Sequence, residues 1–256
     1  MINHKLKNGI SEITLDNPRN HNAFSDLLIK EFNKVLEETD NNKDSNFIVI
    51  KASGVNFSSG ADLNWMRSMA KSSKAVNKKE ALLLANFLYR LNSLSKPVIA
   101  LVQGQVFGGA IGVLACCDIV IAERDAQFCF SEVKLGLIPA TIAPYILQAI
   151  GHSVTRQLFI TAEPFDAQAA QQYGLIHKIC PEGELEATAN TLLEHLRKNG
   201  PNAMATVKSL LNELQPIDKK WINTTSQRLA DTRVSDEAQE GMQAFFDKRP
   251  PAWTQS

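Results

Sequence analysis

This sequence has no excess of positive or negative charge, and that balance argues against partners that are bound through bulk electrostatics. Lysine and arginine together number 27, aspartate and glutamate also number 27, and the formal net charge at pH 7 is zero. Proteins that bind nucleic acid or membrane surfaces through bulk electrostatics carry a clear surplus of positive charge. The composition therefore predicts neither a nucleic-acid partner nor a membrane partner of that kind.

Cysteine is also scarce. The chain has four cysteines, Cys116, Cys117, Cys129 and Cys180, and their spacing matches no zinc or redox motif. Two of them are adjacent inside an apolar stretch, so we expect buried, reduced thiols. The histidines show no metal-ligand spacing either, and the sequence predicts no metal site.

Long hydrophobic runs are absent as well. The chain opens with the residues MINHK, without the apolar core of a signal segment. The longest apolar stretch, residues 106–122, is interrupted by Asp118 and is too short for a comfortable membrane span. These observations predict a cytoplasmic protein with no membrane partner.

What the sequence does have is a hydrophobic content of 44% over 256 residues. That is enough to bury a sizeable core in one large domain, or in one domain with an appendage. Apolar, β-prone runs alternate with helical spacing along the first half of the chain. The predicted strands are residues 10–15, 47–50, 97–102 and 119–122, and the predicted helices are residues 25–39, 80–95 and 109–117. This alternation predicts an α/β class with buried strands.

The second half of the chain is helical almost throughout. The predicted helices are residues 167–173, 185–198, 203–214 and 220–247, the last with a break near Ser235. Gly174 is a favourable C-terminal cap for the predicted helix over residues 167–173. In the first half of the chain, Ser25 is a candidate N-terminal cap for the predicted helix over residues 25–39. Residues 64–79 are polar, lysine-rich and weakly periodic, so we expect a mobile surface segment there.

Two glycine-anchored segments and one glutamate carry the strongest functional signal. The segments are residues 56–63 (NFSSGADL) and 104–112 (GQVFGGAIG), and Glu132 follows within residues 130–133 (FSEV). Glycine lets backbone N–H groups approach a ligand closely, so this set can stabilise an oxyanion and move a proton. On the residues alone, glycines that permit tight turns and a solvated Glu132 beside Lys134 are the simpler interpretation. The glycines form no dinucleotide-binding or phosphate-loop motif.

In their order and spacing, six segments make the chain resemble the crotonase superfamily, also called the enoyl-CoA hydratase/isomerase family. They are residues 17–23 (NPRNHNA), 57–63 (FSSGADL), 96–100 (KPVIA), 104–118 (GQVFGGAIGVLACCD), 131–139 (SEVKLGLIP) and 240–249 (EGMQAFFDKR). The resemblance implies an α/β spiral of ββα units over residues 1–195 and a helical C-terminal region over residues 196–256. It also implies a homotrimer or homohexamer that binds an acyl-CoA substrate, with no cofactor beyond the CoA of that substrate.

The resemblance assigns individual residues to the site. Ala61 and Gly109 match the two positions whose backbone N–H groups form the family's oxyanion hole, and Glu132 matches a catalytic glutamate. The apolar residues just before Glu132 predict a raised pKa for its carboxyl group. The positions that match substrate- or CoA-binding residues are Arg19, His21, Asp62, Leu63, Phe245 and Lys248. For the charged residues among them, a solvated surface side chain is the alternative.

One position departs from the family pattern. Hydratases that use two glutamates carry the second one where this chain has Gly112. A glycine removes a negative charge and opens volume, which favours a substrate with its own distal carboxylate. The alternative is that Gly112 only permits helix packing. Arg67 and Lys71 are the candidates for contact with a substrate carboxylate.

Three further segments are similar to those of bacterial methylglutaconyl-CoA hydratases: residues 60–67 (GADLNWMR), 130–132 (FSE) and 140–144 (ATIAP). We therefore expect an enoyl-CoA hydratase that acts on 3-methylglutaconyl-CoA in leucine catabolism. Two alternatives stay open. One is a Δ3-Δ2 enoyl-CoA isomerase that uses Glu132 alone, and the other is a non-catalytic acyl-CoA-binding protein.

Overall fold

The computed structural model describes residues 1–214 and 217–254. Its strands are β1 (Ile2–Lys7), β2 (Ile10–Leu15), β3 (Phe47–Ala52), β4 (Val98–Val102), β5 (Gln105–Phe107), β6 (Ile119–Glu123), β7 (Gln127–Cys129), β8 (Phe165–Asp166) and β9 (Lys178–Cys180). Its α-helices are α1 (Asp26–Asn41), α2 (Leu63–Ala70), α3 (Lys74–Asn92), α4 (Gly109–Ala115), α5 (Ala143–Thr161), α6 (Ala167–Tyr173), α7 (Leu185–Leu196), α8 (Pro201–Leu214), α9 (Lys220–Arg233) and α10 (Asp236–Phe246). Short 3₁₀-helices cover Pro18–Asn20, Glu132–Leu135 and Ala252–Thr254.

The larger sheet has the strand order β1-β2-β3-β4-β6-β9. β1 pairs antiparallel with β2 at one edge, and the other neighbours are parallel. Both faces of the sheet are covered. Phe32 of α1 and Leu88 of α3 share one core with alternate strand residues, while Leu193 of α7 belongs to a second core with Ile99 and Leu101. Burial on both faces explains why the central strands are continuous apolar runs.

A smaller sheet, in the order β5-β7-β8, positions the candidate site. β5 and β7 are parallel, and Phe107 at the end of β5 is opposite Cys129 at the end of β7. The backbone N–H of Gly108 donates to the Cys129 carbonyl at 3.0 Å. Two parallel strands therefore end side by side, and the residues that follow them, Gly109 and Glu132, leave the sheet at the same edge.

Most predicted elements are confirmed together with their ends. Ser25 caps α1, because its side chain accepts a hydrogen bond from the Leu28 N–H. Gly174 ends α6 in the left-handed conformation. Ser235 separates α9 from α10 and caps the second of these helices. The α/β class with buried strands is confirmed.

The structure can be compared with the predictions made from the cysteines, the metal-ligating residues and the hydrophobic runs. All four cysteines are buried and free of disulfides, as predicted. Within residues 1–214 and 217–254, no three histidine, cysteine, aspartate or glutamate side chains gather where they could hold a metal ion. No helix in that part of the chain combines the length and the apolar character needed to cross a membrane.

Residues 64–79, predicted to be a mobile surface segment, lie mostly at the surface but are helical, and their mobility stays a prediction. The structure forms α2 and the first turns of α3 there, and each helix begins with a side-chain cap, from Asp62 and Ser73 respectively. Met69 is the buried residue of α2, and Trp65 packs half-buried against the core. The apolar face of α2 is narrow, so the polar residues around it dominate the sequence pattern and hide the helical periodicity. Strands β8 and β9 also interrupt the region after residue 140, which the sequence pattern indicated as helical.

The C-terminal helices pack back onto the first part of the chain. α9 lies along α3, and its Leu229 is buried with Ala81 and Ala140. The predicted parts, residues 1–195 and 196–256, pack against each other through α9 and α3. Their division into two regions stays a prediction.

α10 is in backbone contact with the 3₁₀-helix that begins at Glu132. A Cβ atom on Gly241 would lie 2.5 Å from the carbonyl carbon of Leu135, and one on Gly136 would lie 2.7 Å from the carbonyl oxygen of Glu237. Gly136 also has a φ angle of 66°, which side chains rarely adopt. The helix therefore fixes the position of the turn that carries Glu132.

Gly241→Ala should lower the free energy of unfolding by about 1–3 kcal/mol, the usual cost of overpacking. The new methyl group would collide with the Leu135 backbone. Gly200→Ala is the matched control, since the closest atom to its Cβ would be 3.7 Å away. Chemical denaturation measures both variants. Equal stability of the two would contradict the backbone contact between α10 and the 3₁₀-helix.

Candidate active site

One cavity brings together most of the predicted site residues. It has a volume of about 670 Å³, within the range of small-molecule sites. Its wall includes Ala61, Leu63, Gly109, Glu132 and Phe245. The rest of the wall is mainly apolar and comes from α2, α3, α9, α10 and the loop before α5.

Ala61 lies in a loop that is held against residue 24 by two hydrogen bonds. The Phe24 N–H donates to the Gly60 carbonyl at 2.7 Å, and the Asp62 N–H donates to the Phe24 carbonyl at 2.9 Å. Gly60 has a φ angle of 92°, a conformation that glycine adopts at little cost. These bonds use the groups on either side of Ala61, and its own N–H finds no acceptor in the described part of the chain.

Gly109 is the first residue of α4, where a backbone N–H has no acceptor within the helix. None of the other described residues accepts a hydrogen bond from it. Gly108 has φ and ψ angles of 54° and −129°, and this conformation turns the chain from β5 directly into the helix. The free N–H groups of Ala61 and Gly109 thus belong to one cavity, which is what stabilisation of an oxyanion requires.

The Glu132 carboxylate lies against Gly108. A Cβ atom on Gly108 would be 3.1 Å from Oε1 of Glu132, so the glycine makes room for the carboxylate. Oε2 is buried and has no hydrogen-bond partner among residues 1–214 and 217–254. Burial raises the pKa of Glu132 to about 7, because desolvation penalises the charged form. The raised pKa expected from its apolar neighbours is confirmed.

The interpretation of Glu132 as a surface carboxylate beside Lys134 does not hold. Lys134 is exposed and directs its Nζ atom to within 4.0 Å of Cys129 Sγ, and it forms no ion pair with Glu132. The carboxylate is desolvated, one of its oxygens has no hydrogen-bond partner among the described residues, and it shares a cavity with two free N–H groups. A group in that setting can take up and return a proton near neutral pH.

Four of the predicted binding residues, Arg19, His21, Asp62 and Lys248, are outside the described lining of this cavity. Nδ1 of His21 lies 3.0 Å from Nδ2 of Asn56, and Asp62 caps α2. Arg19 and Lys248 are exposed. Their assignment to CoA binding stays a prediction.

The volume beside Gly112 is filled, so the prediction that this glycine opens space for substrate is wrong. Gly112 is buried in α4, and a Cβ atom on it would lie 2.3 Å from Cγ2 and 2.8 Å from Cβ of Ile142. Ile142 immediately precedes α5 and occupies the space that a larger residue at position 112 would need. The alternative, that Gly112 permits helix packing, is confirmed.

Two polar residues of the cavity were not among the predicted site residues, Trp65 and Arg233. Both line the cavity, and the Arg233 guanidinium carbon lies 5.8 Å from the centroid of the Trp65 ring. Trp65 falls in residues 60–67, one of the segments that carry the resemblance, whereas Arg233 ends a helix without a motif. The candidates Arg67 and Lys71 are outside the described lining, and Arg67 instead stacks on Phe246 at 4.9 Å.

A family model and three known proteins that match this chain all bear the name enoyl-CoA hydratase. The family model described as enoyl-CoA hydratase/isomerase matches residues 5–256. An enoyl-CoA hydratase from Shewanella pealeana, a solved structure, is 45% identical with a TM-score of 0.82, and the match covers 98% of this chain and 95% of that one. Another from Mycobacterium avium is 27% identical with a TM-score of 0.88 and covers 98% of each chain. The mitochondrial enoyl-CoA hydratase of Pongo abelii is 30% identical over an alignment of 255 positions, and the match covers 94% of this chain and 82% of that protein.

These similarities extend over almost the whole chain. Together with the mixed sheet and its covering helices, they confirm the predicted fold class, a crotonase-like α/β spiral with a helical C-terminal region.

Neutralising Glu132 should stabilise the protein, and more so at high pH. The pKa of its carboxyl group rises from an ordinary value of 4.5 to about 7 in the fold. The native state therefore releases this proton later than the unfolded chain, and wild-type stability falls as the pH rises from 4.5 towards 7. Glu132→Gln should gain up to about 3 kcal/mol of unfolding free energy above that window and little of it below.

Denaturation curves recorded from pH 4 to 8 measure this difference, with Glu163→Gln as the control. Glu163 is an exposed residue that follows α5, so its variant should track the wild type at every pH. A Glu132→Gln gain that does not change with pH would show that the carboxylate is not desolvated as described.

Gly112→Ala should cost about 1–3 kcal/mol of unfolding free energy through overpacking against Ile142. The control is in the same helix. Gly109→Ala would place its methyl group 3.7 Å from Leu84 Cδ2, an ordinary contact. Thermal melting of both variants checks the prediction, and a Gly112→Ala variant at least as stable as Gly109→Ala would contradict it.

Proposed function

The chain belongs to the enoyl-CoA hydratase/isomerase family, and we propose that it adds water across the double bond of an enoyl-CoA thioester. The substrate we propose is 3-methylglutaconyl-CoA, an intermediate of leucine catabolism. One observation carries the proposed reaction: a buried carboxylate, one oxygen of which has no hydrogen-bond partner in the described part of the chain, shares a cavity with two free backbone N–H groups. The carboxylate and the N–H groups have separate roles in that reaction.

Ala61 and Gly109 hold the thioester carbonyl oxygen between their N–H groups. When a nucleophile adds to the β-carbon, electrons move onto this oxygen and an enolate forms. Donors that are already oriented towards the developing charge stabilise it without reorganisation, and the loss of one such donor costs roughly 3–4 kcal/mol of activation free energy. Because Gly108 and Gly60 fix both loops in conformations with positive φ, the donors are held in place before substrate arrives.

Glu132 handles the proton. In its ionised form the carboxylate takes a proton from a water molecule while the oxygen of that water bonds to the β-carbon. The protonated carboxyl group then gives the proton to the α-carbon as the enolate collapses. Water is thereby split across the double bond, and the enzyme returns to its initial state. A pKa of about 7 suits both steps, since the group is neither too weak a base nor too weak an acid.

The choice of substrate is supported by similarity of sequence. The segments over residues 60–67, 130–132 and 140–144 resemble those of methylglutaconyl-CoA hydratases. The resemblance also supports a homotrimer or homohexamer in the cytoplasm, with CoA as part of the substrate and no separate cofactor. Arg19, His21 and Lys248 are the proposed contacts to the CoA nucleotide.

A Δ3-Δ2 enoyl-CoA isomerase is the second candidate, and the packing at Gly112 favours it. Ile142 fills the place where a second glutamate would stand. A single carboxylate that moves a proton from one carbon to another is sufficient for isomerisation, whereas hydration asks the same carboxylate to activate water as well. The two reactions differ in product mass, because only hydration adds the mass of one water.

The purified protein should add water to 3-methylglutaconyl-CoA faster than to crotonyl-CoA, as measured by mass spectrometry of both products. Glu132→Gln should reduce turnover by at least about 100-fold, the usual range for a general acid–base group, and Glu163→Gln should not. The wild-type rate should rise with pH to a plateau above about 7, because the ionised carboxylate starts the reaction.

Each other outcome has a definite meaning. Faster water addition to crotonyl-CoA would overturn the proposed substrate and keep the reaction. No gain of mass on either ester, with conversion of a 3-enoyl-CoA to the 2-enoyl isomer, would replace the hydratase with the isomerase. Full activity of Glu132→Gln would remove Glu132 from the mechanism.

A further inference from the structure

Arg233 supplies a positive charge to a cavity wall that is otherwise mainly apolar. It is the last residue of α9, and its neighbours at that wall come from α2 and α3. Its side chain is half-buried. A guanidinium group has five N–H donors in a planar fork, so the acceptors available to it decide what it does.

The described residues provide few hydrogen-bond acceptors for this guanidinium. Nη1 of Arg233 contacts Oδ1 of Asn77 at 3.5 Å, which is long for a hydrogen bond. Asn77 is itself fixed, because its amide group donates to the carbonyls of Met69 and Ser72. No aspartate or glutamate in residues 1–214 and 217–254 forms an ion pair with Arg233. Most of its donors therefore lack an acceptor among the residues that the structure describes.

Arg249 shows what an arginine with a structural role looks like in this chain. Its guanidinium makes two parallel hydrogen bonds to the Glu240 carboxylate, at 2.7 and 2.8 Å. That is the bidentate geometry in which arginine recognises a carboxylate. Arg233 is more buried than Arg249 and has no such partner in the described ranges.

A second donor at the same wall also lacks an acceptor. Nε1 of Trp65 is buried and has no hydrogen-bond partner in the described part of the chain. The Arg233 guanidinium lies over the ring of this tryptophan. Buried donors are normally paired in proteins, so two neighbouring side chains with donors left over indicate that an acceptor belongs at this wall.

Glu80 is the acidic residue whose charge acts on Arg233. Its attraction works against the burial that lowers the pKa of Arg233 to about 10, and the group stays charged at neutral pH. Oε2 of Glu80 is itself buried without a hydrogen-bond partner among the described residues. Glu80 therefore supports the charge of Arg233 and does not occupy its donors.

We propose that Arg233, together with the indole N–H of Trp65, binds a carboxylate at the distal end of the acyl chain. The ligand class is CoA thioesters of dicarboxylic acids. This inference rests on the proposed function for one point, that the thioester end of the acyl group lies at Ala61 and Gly109 in the same cavity. It names Arg233 and replaces Arg67 and Lys71 as the contact for a substrate carboxylate.

The first test measures binding alone, with esters that cannot be hydrated. Calorimetric titration compares glutaryl-CoA with hexanoyl-CoA, whose acyl chains are similar in length and differ in the terminal carboxylate. The wild type should bind glutaryl-CoA more tightly. Arg233→Gln should weaken glutaryl-CoA binding by about 10- to 100-fold, the range for a lost hydrogen bond to a charged group, and should leave hexanoyl-CoA binding within about threefold.

Three further variants separate recognition from structure. Arg67→Gln is the matched control, because Arg67 also stacks on an aromatic ring but lies outside the cavity lining, and its affinity for both esters should equal that of the wild type. Arg233→Lys should keep part of the preference for glutaryl-CoA. Trp65→Phe keeps an aromatic ring and removes the N–H donor, so it should weaken glutaryl-CoA binding selectively. It also tests the proposal if Arg233→Gln fails to fold.

Equal affinities of the wild type for the two esters, or an equal loss for both in Arg233→Gln and Trp65→Phe, would overturn the proposal and leave Arg233 a structural residue. Turnover of glutaconyl-CoA and 2-hexenoyl-CoA is measured separately. Selective binding of glutaryl-CoA without water addition to any enoyl ester would reject the proposed function and keep the role of Arg233. Water addition with no preference for the carboxylated ester would do the reverse.

Discussion

Keeping the Glu132 carboxylate out of water, with one oxygen free of any hydrogen bond from the described residues, is the constraint on which the rest of this structure depends. A buried carboxylate with a free oxygen is unfavourable in its charged form, so the surrounding fold has to hold it there. Three features do so: the paired ends of β5 and β7, the absence of a side chain on Gly108, and the contact of α10 with the 3₁₀-helix. Each is a close backbone approach, and each depends on a glycine or on strand pairing.

The mainly apolar wall of the cavity strengthens the electrostatic interactions of its few polar groups. The free N–H groups of Ala61 and Gly109, the carboxylate of Glu132 and the guanidinium of Arg233 all line it. Electrostatic interactions strengthen where water is excluded. Arg233 and Glu132 have opposite charges and different proposed tasks. One would select the ligand through its distal end, and the other would act on the reacting carbons.

Much of the fold and part of the site could be predicted from the sequence, because the signals were local. Ser25, Gly174 and Ser235 mark helix ends through backbone requirements that each residue meets alone. Ala61, Gly109 and Glu132 lie within short motifs that follow strand ends, and parallel strands place such ends together. The raised pKa of Glu132 could be predicted for the same reason, since its apolar neighbours are adjacent in sequence.

The features that could not be predicted depend on residues far apart in the chain. Residues 64–79 look polar because their helices bury only a narrow stripe, and the partner surface comes from α9 and the core. Arg233 reaches Trp65 and Asn77 only after α9 has packed along α3. The space beside Gly112 looked open because nothing near it in sequence could reveal that Ile142 fills it.

The fit of Ile142 against Gly112 also limits how this site can change over evolutionary time. A second carboxylate at position 112 starts with an overpacking cost, because its first side-chain carbon would meet Ile142 at 2.3 Å. A smaller residue at position 142 would relieve that contact, but made alone it leaves a cavity in the core. Each change is unfavourable without the other, so the effects of substitutions at positions 112 and 142 are not additive.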